Sequence, residues 1–82
     1  MVRYDIGLEH KSTKEVLALN LQASDGSEAL GKIVEGKVKF AQPHPNDPKK
    51  TKIQSFIPGG SWKITRMVRP GREYPEMVGR YV

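Results

Sequence analysis

Val2, Tyr4, Ile6 and Leu8 alternate without a break with Arg3, Asp5, Gly7 and Glu9. A period of two sends every apolar side chain to one face of an extended backbone, so the chain opens on a half-buried strand over 2–9. After the polar connection HKSTK, Leu17, Leu19, Leu21 and Ala23 repeat the pattern within EVLALNLQAS. This predicts a second strand over 15–24, hairpinned to the first. A helix competes for the same residues, because Ser12 and Glu15 have the spacing of a capping box and Leu and Ala favour helices. At helical spacing, however, Asn20 joins Val16, Leu19 and Ala23 on the apolar face, and the strand is preferred.

A chain of 82 residues with no cysteine must hold such a sheet by burial alone. It is long enough for one domain, 1–82, and too short for a second core or a deep enzyme cleft. Without cysteine there is no disulfide framework and no thiolate chemistry, which fits a cytoplasmic protein. The opening residues MVRYDIGLEHKS carry acids and no continuous apolar run, so they are not expected to be a targeting segment, and no stretch predicts a membrane span. Hydrophobic residues make up only 37% of the chain, a value low enough that a homodimer is one way to complete its burial.

Further along, Asp25-Gly26 predicts a turn and Ser27 a cap for one short helix near 27–35, with Leu30, Ile33 and Val34 on one face and Gly36 at its end. Lys37 to Ala41 predict a third strand, with Val38 and Phe40 inward and Lys37 and Lys39 outward. The three prolines of QPHPNDPKK predict an exposed loop over 42–50, since proline donates nothing to a strand ladder. A fourth strand follows over 51–57, with Ile53 and Ile57 on one face and Lys52, Gln54 and Phe56 on the other. Pro58-Gly59-Gly60 predicts a reversal. In the fifth strand, SWKITRMVR over 61–69, Trp62, Ile64 and Val68 share a face that Arg66 interrupts. Beyond Pro70-Gly71, residues 70–82 either form a mobile tail or add an edge strand over 77–82. The expected fold is therefore mainly β, or small α+β. Five or six antiparallel strands would form a sheet or a partly open barrel, OB- or SH3-like in architecture, with one short helix.

Charge separates the two halves of the chain. Residues 36–72 hold nine of the fourteen Lys and Arg residues against one acid, Asp47. Residues 1–35 hold four cations (Arg3, Lys11, Lys14, Lys32) and six acids. No phosphate loop, dinucleotide fingerprint, zinc-protease helix or nucleophile elbow is present, and His10 and His44 without cysteine do not make a metal site. His44 in its proline loop, Asp47 before Pro48, and Glu73 and Glu76 in the tail all fit solvated or turn positions. The expectation is accordingly a non-enzyme with no cofactor.

The basic constellation is what points to a partner. If the third, fourth and fifth strands are neighbours, Lys37, Lys39, Lys52, Lys63, Arg66 and Arg69 line one face and neutralise the phosphates of DNA or RNA, with Trp62, Phe56 or Tyr74 available to stack on bases. The pair Lys49-Lys50 would extend their reach. Arg66 either pairs with Asp5 or Glu9 from the first strand or faces a partner. The ordinary alternative is a solvated, aggregation-resistant face with Trp62 in the core. The competing function is a protein-interaction module, for example a small phage or mobile-element adaptor that docks on an acidic host protein by strand addition.

Overall fold

The computed structural model describes residues 1–44 and 46–82, excluding the side chains of Pro43, His44 and Pro48. Strand β1 (Val2–His10) is paired antiparallel on both sides, with β2 (Val16–Ala23) on one and β5 (Trp62–Arg69) on the other. Its alternation is realised as expected: Tyr4, Ile6 and Leu8 are buried, and Leu17 and Leu19 of β2 lie on the same side. The β1–β2 turn is tied by His10, whose Nδ1 accepts the backbone N–H groups of Ser12 and Thr13 at 3.1 and 3.2 Å. With the short strand β6 (Arg72–Glu73), the order of this four-stranded sheet is β2-β1-β5-β6.

Helix α1 (Gly26–Val34) lays Ala29 and Ile33 into the core under the sheet. Its N-cap is Asp25, one turn signal earlier than the expected Ser27. The Asp25 carboxylate accepts the Glu28 N–H at 2.8 Å, which satisfies one of the free donors of the first turn. Gly26 is needed at this spot for space, because a Cβ there would lie 2.8 Å from the ring of Tyr74.

Strand β5 contains the feature that strict alternation could not foresee. Leu8 pairs with Ile64 and Gly7 with Arg66, so Thr65 is an extra residue on the β5 side, a β-bulge. The bulge shifts the parity of everything after it. Ile64 and Met67, three positions apart, are both buried, and Arg66 turns outward to solvent. Met67 is thereby moved from the polar face expected for it into the core, and the polar interruption of the Trp62/Ile64/Val68 face disappears.

The last residues dock on the free side of β5. Ile64 N–H donates to the Arg80 carbonyl at 2.7 Å, and Val82 and Trp62 exchange backbone hydrogen bonds at 2.7 and 3.2 Å. Tyr74 and Val82 are buried, and a short 3-10 helix, Pro75–Met77, links β6 to this segment.

The five or six strands expected to share one sheet or partly open barrel are divided between two sheets. β3 (Lys39–His44) and β4 (Asp47–Ser55) pair only with each other, as a two-stranded ribbon. Residues 42–50, expected as an exposed loop, are instead the far ends of these strands, Pro45 lying outside the described residues. Proline closes off one donor at each of its positions, but a ribbon has edges on both sides where no donor is required. The ribbon joins the body at its base, where Val38 and Phe56 are buried and the Phe56 N–H donates to the Val38 carbonyl at 2.8 Å. Among the described residues no helix is long and apolar enough to cross a membrane.

Candidate nucleic-acid interface

The residues singled out for an anionic partner do not converge on one face. β3 and β4 form one sheet and β5 belongs to the other, so a stripe running across three neighbouring strands is not formed. Lys37 precedes β3 and its Nζ lies 2.9 Å from a carboxylate oxygen of Glu35. Lys63 is half-buried and sits directly opposite Glu9 in the β1–β5 register. Arg66 faces solvent opposite Gly7, and neither Asp5 nor Glu9 forms an ion pair with it; Asp5 instead pairs with Arg3 at 3.5 Å. Arg69, carried by the bulge onto the inner parity, lies beside Tyr4 and Tyr74.

The two aromatic candidates are engaged inside the protein. Phe56 is only 2% exposed and has no free face on which a base could stack. Trp62 is half-buried, edge-on to Phe56 at 6.0 Å between ring centroids and to His10 at 5.0 Å. Tyr74 is also buried, with the Arg72 guanidinium 4.2 Å from its ring centroid. The expected stacking platform is therefore part of the core and its margin, a placement that agrees with the rule that large aromatics contribute most by burial.

What the structure assembles instead is the ribbon. Directly opposed residues of an antiparallel pair share a face. Lys39 and Ser55, Ala41 and Ile53, and Pro43 and Thr51 oppose each other on one face, and Phe40 and Gln54, and Gln42 and Lys52, on the other. Lys39 and Lys52, expected side by side, thus lie on opposite faces. Phe40, Gln42 and Gln54 are half-buried and mark the face that leans on the body, whereas Lys39, Ala41, Thr51, Ile53 and Ser55 are all exposed. Lys49 and Lys50 continue β4 towards the tip and are exposed as well.

Among the described residues, Lys39, Lys49, Lys50 and Lys52 have no carboxylate within ion-pair distance. The ion pairs present are Arg3–Asp5, Lys32–Glu28, Lys37–Glu35 and Arg72–Glu76. The ribbon's one acid, Asp47, accepts the backbone N–H of Lys49 at 3.0 Å. Lys39, Lys49, Lys50 and Lys52 therefore make the ribbon basic, although in the body Lys11, Lys14, Arg66 and Arg80 are likewise exposed and outside these ion pairs. Sequence reading had Lys49 and Lys50 only as an extension, and it missed the ribbon because the prolines concealed the strands.

A second cluster lies where β5 turns into β6. The Tyr4 and Tyr74 hydroxyls are 3.2 Å apart and buried. The Tyr4 pKa is raised, chiefly because its proton is held in the hydrogen bond to Tyr74, with burial adding to the effect. The Tyr74 pKa is lowered by the same bond, with Arg72 and Arg69 adding their charge. The guanidinium of Arg69 is in turn held charged by the two phenols, yet its Nε is buried without a hydrogen-bond partner. No group of three or more His, Cys, Asp or Glu among the described residues is placed to hold a metal ion.

Comparison with known protein families, with curated proteins and with solved structures found no match to this chain.

Proposed function

We propose that the protein is a small basic binding module, OB- or SH3-like only by architectural analogy, that grips a nucleic-acid duplex by its phosphates through the β3–β4 ribbon. The observation that carries this reading is the set of four lysines, Lys39, Lys49, Lys50 and Lys52, exposed and outside any ion pair on one separate two-stranded sheet. A B-DNA major groove admits a two-stranded ribbon, and the exposed lysines of this one would meet its phosphates. The burial of Phe56 and the edge-on packing of Trp62 favour a duplex over a single strand, since single-strand binders depend on exposed stacking faces. With no side chain identified for base readout, affinity is expected to be independent of sequence.

Four lysine–phosphate contacts give a slope of roughly −3.6 in log K against log salt, a loss of about 150-fold between about 50 and 200 mM. The test is fluorescence anisotropy with a labelled mixed-sequence duplex of about 20 base pairs, read against salt. Wild type should bind in low salt, and the variant carrying Lys39→Glu, Lys49→Glu, Lys50→Glu and Lys52→Glu should not, with an unchanged circular-dichroism spectrum. Absence of wild-type binding at about 50 mM salt rejects the reading.

One observation favours a second reading, an interaction module for an acidic protein. β2 is an outer strand of the four-stranded sheet, and its exposed Val16, Ala18, Asn20 and Gln22 form a face that one more strand would extend. Capture of a single acidic protein after nuclease treatment, lost when a proline replaces Asn20, would favour that reading over the first.

A further inference from the structure

Strand β2 differs in its chemistry from every other strand. Its eight residues, VLALNLQA, include no Lys, Arg, Asp or Glu, no proline and no glycine, and they pair with β1 without a register shift. Sheet edges are ordinarily guarded against pairing with another chain by charge, proline or a bulge. The ribbon strands carry lysines and prolines, and the far side of β5 is covered by β6 and residues 79–82. β2 is a terminal strand of its sheet and has none of these guards along its length.

The pairing with β1 fixes which backbone groups of β2 are left over. His10 N–H donates to the Glu15 carbonyl at 2.8 Å, and hydrogen-bonded residues recur at every second position of an antiparallel pair. Leu17, Leu19 and Leu21 therefore direct their N–H and C=O groups at β1, while those of Val16, Ala18, Asn20 and Gln22 point off the edge. The Gln22 carbonyl bears this out: it accepts from Lys32 Nζ at 2.7 Å, a donor outside the sheet, and keeps a second lone pair. The side chains of the same four residues are exposed.

A second copy of the chain complements this edge. Antiparallel pairing about a two-fold axis at Leu19 sets Val16 opposite Gln22 and Ala18 opposite Asn20, so every outward-facing residue finds a partner and no like charges meet. The same register brings Glu15 opposite Ala23 of the other copy, beside the Gln22 carbonyl at which Lys32 ends. Glu15 is exposed and in none of the ion pairs of its own chain, and it has the parity of Leu17 and Leu19, the side on which α1 carries Lys32. By symmetry this Glu15–Lys32 attraction occurs twice.

From this match we propose that two copies of the chain join through β2, antiparallel and two-fold, into one continuous sheet of eight strands. Both copies contribute the same edge, so the assembly closes at two. The dimer does not rest on the duplex reading, and it gives the β2 edge a different occupant from the acidic protein of the second reading.

The experiment is sedimentation equilibrium of the full chain from about 5 to 500 µM at about 150 mM salt, a range that spans the weak dimers expected of an interface this small. The mass should rise to twice that of one chain and no further. Hydrogen exchange at the two ends of the range locates the contact: the amides of Val16, Ala18, Asn20 and Gln22 should slow with concentration, and those of Leu17, Leu19 and Leu21, already bonded to β1, should change far less. Asn20→Pro removes an outward donor and should weaken the dimer about tenfold or more. Ala18→Lys with Asn20→Lys, at two exposed positions, opposes lysine to lysine across the axis and should do the same without touching the backbone. The four-lysine ribbon variant should dimerise as wild type does, and Asn20→Pro should still bind duplex, so the two proposals fail separately. A mass of one chain throughout, growth beyond two copies, unslowed outward amides, or undiminished association in both β2 variants would each overturn the proposal, the first leaving the edge to a foreign strand.

Discussion

The four-stranded body and the two-stranded ribbon obey different constraints, although both are antiparallel β-structure. In the body, each strand presents a face to a shared core: Tyr4, Ile6 and Leu8 from β1, Leu17 and Leu19 from β2, Ile64 and Met67 from β5, closed by Ala29 and Ile33 of α1. In the ribbon, Lys39, Ala41, Thr51, Ile53 and Ser55 of the outward face are exposed, and on the other face Phe40, Gln42 and Gln54 are only half-buried. A two-stranded ribbon is marginal by itself in water, so its attachment through Val38 and Phe56 must hold it in place. The difference teaches which residues are free to serve a partner. Arg3, Lys32 and Arg72 of the body are held by neighbouring carboxylates, whereas Lys39, Lys49, Lys50 and Lys52 of the ribbon make no such pair.

The largest effect that sharpens this contrast is expected at Phe56. Phe56→Ala removes a ring that is 2% exposed and meets Trp62 edge-on, and should cost about 3–5 kcal/mol in urea unfolding. Ile53→Ala, three residues earlier on a position 64% exposed, should stay within about 0.5 kcal/mol of wild type. Equal losses at the two positions would mean that the ribbon's outer face is covered in solution, and the contrast between the two regions would fail.

How much of this was legible beforehand follows the same division. Period-two alternation is imposed by a one-sided core, and where that core exists the reading located β1, β2 and the helix to within a few residues. It failed at Thr65, because a bulge adds one residue by a backbone adjustment that leaves no compositional trace, and with it went the facing of Arg66, Met67 and Arg69. It failed again at 42–50, where proline was weighed as a strand breaker although a ribbon edge tolerates it. The sites suffered most, since whether Phe56 is a stacking face or a core side chain depends on which sheet β4 joins. Pairing between distant strands is a property of the whole chain and is not written in any local pattern.

A smaller effect is expected where helix and sheet meet. Gly26→Ala would drive a Cβ to 2.8 Å from a ring carbon of Tyr74, a buried side chain bonded to Tyr4 and covered by Arg72. Because Tyr74 is held on several sides, the ring cannot swing away freely, and overpacking of this kind costs about 1–3 kcal/mol. Thermal melting measures the loss, and the Tyr74 ring resonances should shift together with those of Tyr4. Ribbon amides should keep their positions, since the change lies in the body. If Gly26→Ala melts like wild type, the tight seam between α1 and β6 is not maintained in solution.

The smallest effect concerns the helix cap and tests whether pH acts on the body alone. The Glu28 carboxylate accepts hydrogen bonds from the Ser24 hydroxyl and backbone N–H, and lies 3.6 Å from Lys32 Nζ. Those bonds from Ser24, and secondarily the Lys32 charge, hold its pKa below the ordinary carboxylate value. A folded-state pKa depressed below the unfolded one contributes stability that is fully present above the unfolded value and is lost as pH falls through the folded value. Glu28→Gln should therefore lower the melting temperature slightly near neutral pH, and the gap from wild type should close on acidification past the carboxylate range. The residue is partly exposed, so solvent screening keeps the effect small. Because the carboxylate sits at the first turn of α1, it also opposes the positive end of the helix dipole, and Gln forfeits that attraction at the same pH values. Ribbon amide shifts followed over the same range should show no difference between wild type and Glu28→Gln. A gap that persists at low pH would assign the cap's contribution to packing instead of charge, and ribbon amides that move with Glu28 would join the two regions into one titrating unit.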